Sequence, residues 1–168
     1  INVSLPSQRA DKFSLKLAKL MQQEKKSAIT IAPEAGSQRM RDIINKNLTE
    51  EQIINAVLSC VKSGWNKIKF YFIIGLPFEH DDDVLAIAEL IKSINLACKS
   101  EKLPIPSITC SVSVFVPKPH TPFAWHRQNS LDEIEHKKQL LLSCKSQIKN
   151  AKLNFHSSRV SQLEAFFT

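Results

Sequence analysis

The residues of this chain best suited to chemistry sit in four short loops, each following a strand-like run. They are Pro6-Ser7-Gln8-Arg9, Pro33-Glu34-Ala35-Gly36-Ser37-Gln38-Arg39, Gly75-Leu76-Pro77-Phe78-Glu79-His80 and Pro117-Lys118-Pro119-His120-Thr121. In the second loop Glu34 comes directly after an apolar run, where an unpaired carboxylate is costly. Its two oxygens suit the hydroxyls of a ribose. Gly36 and Ser37 open a helix whose free N–H groups favour an anion, and Arg39 can grip a carboxylate bidentately. The alternative is that Glu34 pairs with Arg39 or Arg41 around an ordinary helix cap. In the third loop Gly75 permits close backbone approach. Ile73, on the same strand face, offers an apolar wall to a flat ring. Glu79 reads first as a cap for the helix that starts near Asp81. His80 and His120 are the histidines nearest the loop ends. Neither has the partners that would make it an acid–base catalyst.

Several chemistries are excluded. Ser7 and Ser37 lack the strand–elbow–helix setting of a nucleophilic serine. No GxxxxGK[ST] and no GxGxxG occurs, which argues against kinases, NTPases and dinucleotide dehydrogenases. Cys60, Cys98, Cys110 and Cys144 stand at least 12 positions apart, so no chelating CxxC pair exists. They read as buried free thiols in a reducing cytoplasm, and no metal ligand set is expected in this chain. The net charge of +7 favours an anionic partner, RNA included. The basic residues are scattered, however, and read first as a solvated surface. Apolar residues make up 43% and charged residues 23%, a globular balance. No apolar run approaches the roughly 20 residues of a membrane span, so a cytoplasmic location is expected. The chain opens on Ile1 with a strand-like run, which leads us to expect a piece of a longer protein.

The elements that must position these loops alternate. Strand patterns cover 1–5, 28–32, 67–75 and 108–116, and residues 71–74 are apolar on both faces, as in a sheet covered on both sides. Helical patterns cover 11–26, 37–45, 49–64, 81–99 and 130–150. Thr49 with Gln52, and Ser130 with Glu133, have the spacing of capping boxes. Gly64 supplies a left-handed stop. Val84, Ile87, Ala88, Ile91, Ile94 and Cys98 form one stripe. Residues 153–168 are ambiguous between strand and helix. The alternation predicts parallel strands with crossover helices, in an open doubly wound sheet or a segment of a (β/α) barrel.

Taken together, four stretches resemble the core of the radical S-adenosylmethionine superfamily. They are SLPSQRAD (4–11), ITIAPEAGSQRMRD (29–42), KFYFIIGLPFE (69–79) and SVFVPKPHTPF (113–123). The third resembles the motif GxIxGxxE in its Ile73 and Gly75, although Tyr71 replaces its first glycine. The resemblance implies the C-terminal half of a partial TIM-type (β/α)6 barrel. Residues 1–152 would be the latter part of the core, in four β/α units, and 153–168 an extension leading downstream. It also implies S-adenosylmethionine across the strand ends. Glu34 would hold the ribose hydroxyls, and Arg39 with Ser37 nearby would face the methionine carboxylate. Ile73 and Gly75 would meet the adenine, with further contacts from Val114, Phe115 and Val116. Ser7, Arg9 and His120 would lie on the substrate side.

The family's CxxxCxxC is missing, so a [4Fe–4S] cluster would be bound by another part of the parent enzyme. This chain alone is then expected to be inactive. The nearest branch resembled is an uncharacterised bacterial one whose core commonly follows a cobalamin-binding-like domain. Cobalamin therefore stays open as a cofactor, and the substrate stays unknown. Two rivals remain. One is a cluster-free binding or scaffold module on the same fold, holding RNA through its basic surface. The other is an unrelated barrel enzyme using Glu34 and Glu79 as acid and base. A half barrel would also expose strand edges that invite self-association.

Overall fold

A computed structural model describes residues 28–167. Four strands, β1 (Ile29–Glu34), β2 (Lys67–Ile74), β3 (Ser107–Val114) and β4 (Ala151–Phe155), pair in the order β1-β2-β3-β4, and every pairing is parallel. The helices are α1 (Gln38–Ile43), α2 (Glu50–Lys62), α3 (Asp81–Ser100), α4 (Leu131–Ser143) and α5 (Ser158–Phe167). A doubly wound sheet reverses its strand order at a switch point. Here each strand is laid beside its predecessor without reversal, as the strands of a barrel are. The fold is α/β, consistent with a partial TIM-type barrel. The strand expected at 1–5, the helix expected at 11–26, and with them Ser7 and Arg9, lie outside the described residues.

One sheet face is apolar and carries the helices. In β2 the alternate residues Ile68, Phe70, Phe72 and Ile74 are fully buried, whereas Lys69, Tyr71 and Ile73 are only partly so. The expectation of two covered faces at 71–74 therefore fails for the described residues. Tyr71 and Ile73 point away from the helix layer, and the apolar run reflects two different environments. The α3 stripe from Val84 to Cys98 is buried in full, against the sheet and against α2 and α4. Each buried Val or Ile of the stripe contributes roughly 1.5–3 kcal/mol. Both expected capping boxes form, and Gly64 takes φ 85° just past α2.

Differences from expectation are local. α4 ends at Ser143 rather than near Asn150, because a 3-10 turn over Cys144–Ser146 tightens the chain. Cys144 and Ile148 are nevertheless buried as the stripe required. The ambiguous tail resolves into most of β4, followed by α5.

Gly36 is required by packing. A Cβ there would lie 2.4 Å from the backbone nitrogen of Ile87 and 2.8 Å from the carbonyl oxygen of Asp83. The loop after β1 thus lies directly on the backbone of α3. Gly36→Ala should cost about 1–3 kcal/mol of overpacking strain, read as a lower urea midpoint at unchanged slope.

Candidate functional site

The carboxyl ends of β1, β2 and β3 form one rim, where parallel α/β folds gather function. Three of the four expected loops start there. Glu34 ends β1 in the left-handed region, at φ 68°. The register slips at this point: Ile31 pairs with Phe70, but Glu34 pairs with Phe72, so β1 carries an extra residue. Bulges of this kind re-aim a side chain at a barrel rim. The Glu34 carboxylate accepts from Lys46 Nζ at 3.1 Å, and both side chains remain about three-tenths exposed. The alternative pairing with Arg39 or Arg41 does not form. Arg41 is wholly buried and donates to the carbonyls of Gly36 (2.7 Å), Ala35 (3.2 Å) and Leu48 (2.9 Å). It staples the β1 loop from below. Burial pushes its pKa down, against the pull of Glu50 and Asp42.

Ser37 and Arg39 share one partner, Asp83 in the first turn of α3. The Ser37 hydroxyl donates to Asp83 Oδ1 at 2.5 Å and accepts from the Met40 N–H at 3.1 Å, capping α1. Arg39 Nε donates to Oδ1 at 3.3 Å, and the same guanidinium makes a close ion pair with Oδ2. Another bond runs from Arg39 to the Phe78 carbonyl at 2.8 Å. Burial would raise the Asp83 carboxyl, but Arg39, Ser37 and the His80 N–H together bring it below its ordinary value. An internal carboxylate thus occupies the guanidinium that resemblance pointed at a ligand carboxylate. Arg39 remains 44% exposed at the side chain.

Glu79 does not cap α3. His80 is the N-cap residue, and its N–H is taken by Asp83 at 2.8 Å. Glu79 instead turns inward, where its side chain is 4% exposed. It pairs with Lys137 of α4 at 3.0 Å and accepts from the Gly75 N–H at 2.7 Å. Burial raises its pKa, outweighing Lys137 and the Gly75 N–H. This commitment also removes Glu79 as a free acid or base beside Glu34. Sequence reading missed both Lys137 and Asp83, because a lysine in a helix and an aspartate in a first turn look like ordinary surface residues. A signal existed for Lys137, which lies three residues after the apolar Ile134 on the same helix face.

Gly75 has φ 77°. A Cβ there would meet Ile134 Cδ1 at 2.7 Å and Asn129 Oδ1 at 2.9 Å. The close approach at Gly75 is thus made by the protein's own side chains, Ile134 of α4 and Asn129 just before that helix. Ile73 and Phe115 belong to a small apolar cluster at the rim, with Ala35, Met40, Leu76 and Phe123. Val114 faces the main core, Val116 is partly buried, and His120 is exposed with φ 61°. A cleft of about 680 Å³ lies between the β2 loop and the start of α4. Of the expected site residues it touches only Gly75, and several of its polar side chains engage one another, Arg127 with Glu133, His136 with Asp81 and Lys137 with Glu79. Arg127 holds the Glu133 carboxyl down at about 2. The rim, with a partly exposed carboxylate and an apolar wall, is the better candidate.

The residues fit a nucleoside and do not fit a cluster. A carboxylate at the end of β1, on the same rim as the apolar cluster of Ile73 and Phe115, has the chemistry to accept from a ribose diol beside a flat ring. The four cysteines are free and buried on four different elements. Burial raises the thiols of Cys60 and Cys110 to about 12. Among the described residues no three His, Cys, Asp or Glu gather as metal ligands.

Removing one partner of a buried pair costs about 3–5 kcal/mol, and this is expected for Lys137→Met at pH 7. A raised carboxyl pKa means that the folded chain holds the proton more tightly than the unfolded one. Stability linked to Glu79 is therefore present at low pH and lost as pH rises through its titration. The penalty of Lys137→Met should shrink as pH falls toward the ordinary carboxylate range, measured by urea unfolding across pH.

A family model described as the radical SAM superfamily matches residues 1–91, just over half of the chain. The match includes Glu34, Ser37, Arg39, Ile73 and Gly75. An uncharacterized protein of Methanocaldococcus jannaschii is 37% identical over 123 residues, which are 73% of this chain and 26% of that protein. The chain thus spans about a quarter of the length of that relative. With the sequential parallel sheet and its rim of matched residues, the comparison leads to one conclusion: the chain belongs to the radical SAM superfamily.

Proposed function

We propose that this chain is the S-adenosylmethionine- and substrate-binding part of a radical SAM enzyme whose [4Fe–4S] cluster is held by other polypeptide of the parent. The observation that carries the reading is Glu34, bulged onto the carboxyl rim inside the stretch matched by the family. When bound, S-adenosylmethionine supplies a sulfonium whose carbon–sulfur bond can be cleaved to a radical. This chain's own part is to bind and orient. Glu34 accepts from the ribose hydroxyls, with Lys46 holding its carboxylate in place. Ile73 and Phe115 wall the adenine, with Val114 and Val116 shaping the β3 end. Ser37 and Arg39 act through Asp83 to fix the loop, and the exposed part of the Arg39 guanidinium faces the methionine end. His120, with Ser7 and Arg9, is assigned to the substrate side. Cobalamin stays open as a second cofactor of the parent in this reading. The location is cytoplasmic, supported by four free thiols. Among the described residues no helix is long and apolar enough to cross a membrane.

One observation favours the binding-module alternative. Trp125 is 97% exposed on a loop with no acidic residue between Phe115 and Leu131. An indole so placed is a stacking platform for a base of single-stranded RNA.

Titration calorimetry of the chain with S-adenosylmethionine separates the two readings. Binding by the wild type and a loss of about tenfold or more in Glu34→Gln is expected, the scale of a charged hydrogen bond. Absence of binding, or equal binding by the variant, contradicts the proposal. Salt-sensitive RNA binding that Trp125→Ala abolishes would then favour the module.

A further inference from the structure

The sheet face turned away from the helices has an unexpected chemistry. Parallel registers place Thr30 beside Lys69, Lys69 beside Thr109, and Thr109 beside Lys152. The next row toward the rim is Tyr71, Ser111 and Asn154, and above it Ile73 stands beside Ser113. The interior of a barrel of this type is ordinarily packed with Val, Ile and Leu. Here, apart from Ile73 at the rim, the named rows carry hydroxyls, an amide and two ammonium groups.

Glu34 is the single acidic residue in the four described strands. It sits at the rim and is already paired with Lys46. The two lysines lie two strands apart in one row, about 10 Å between their Cα atoms at ordinary strand spacing. Lys69 Nζ leans toward the rim, 4.7 Å from the centre of the Tyr71 ring. Among the described residues no carboxylate stands beside Lys69, which is partly buried, or Lys152, which is exposed. Where the rest of the barrel encloses this face, two such cations repel each other and lose water. An anion between them removes both costs, and Thr30, Thr109 and Ser111 offer it further hydroxyl donors.

We propose that Lys69 and Lys152 form an anion site inside the barrel, below the rim, and that the substrate therefore carries a phosphoryl or carboxylate group. This deepens the proposed function and rests on it for the identity of the ligand as substrate. The site itself does not depend on the cofactor. The anion anchors the far end of the substrate. Its other end is then directed toward the strand ends, two side-chain layers above.

The test is calorimetry of the chain with pyrophosphate and, in a parallel arm, with succinate. The comparison protein is the double variant Lys69→Gln/Lys152→Gln, whose melting temperature shows that it is folded. S-adenosylmethionine is titrated into both proteins. We expect one of the two anions to bind the wild type and to lose about tenfold or more in the variant, with the cofactor affinity unchanged. The preferred anion then identifies the group. Absence of binding by either anion, or equal binding to both proteins, overturns the site. Weakened cofactor binding in the variant, with competition by pyrophosphate, also overturns it, because the lysines would then hold the methionine carboxylate. Lysine-dependent anion binding without any cofactor binding leaves the site standing and removes the proposed function.

Discussion

The rim depends on one buried carboxylate. Asp83 accepts from the Ser37 hydroxyl and the Arg39 guanidinium on one side, and from the His80 N–H on the other. Ser37 ends the loop after β1 as the cap of α1, Arg39 lies in the first turn of α1, and His80 ends the loop after β2. An aspartate 6% exposed would be expensive without these donors. With them it fixes two loops to the first turn of α3. Gly36 lets the first loop lie directly on that helix, and Arg41 holds the loop's carbonyls from beneath. A second acid, Glu79, does the same for β2 and α4 through Gly75 and Lys137. Two internal acid–base sets therefore stitch the exit loops together before any ligand is considered.

This stitching explains how far the sequence could be read. The helices were legible because α3 carries an unbroken apolar stripe and α2 and α4 carry capping boxes, all of which are local signals. The barrel-like order was open until pairing was known, since a βα alternation suits a doubly wound sheet equally well. The tail was unreadable because Lys152 and Asn154 alternate with residues of modest burial, and β4 is stabilised by its pairing with β3 rather than by its own composition.

The placement of the candidate residues in the fold was legible, and their side-chain partners were not. Glu34, Ser37, Arg39, Ile73 and Gly75 do share one rim. Their partners are separated by long stretches of chain, with Arg39 and Asp83 44 residues apart, and no spacing rule reaches that far. Resemblance could therefore point to Arg39 but not reveal that Asp83 already engages it. The same limit applies to the inner face: Lys69 and Lys152 fall into one row only once three registers are known.

The central claim is that a nucleoside-bearing cofactor lies across the carboxyl ends of β1, β2 and β3. Backbone amide chemical shifts of the chain, recorded with and without S-adenosylmethionine, test it most directly. The account predicts perturbations concentrated at Glu34, Ile73, Gly75 and Phe115, with the amino ends of the strands near Ile29, Lys67 and Ser107 unmoved. Perturbations confined to the cleft around Asn129 and His136, or scattered over the helix surfaces, would contradict it.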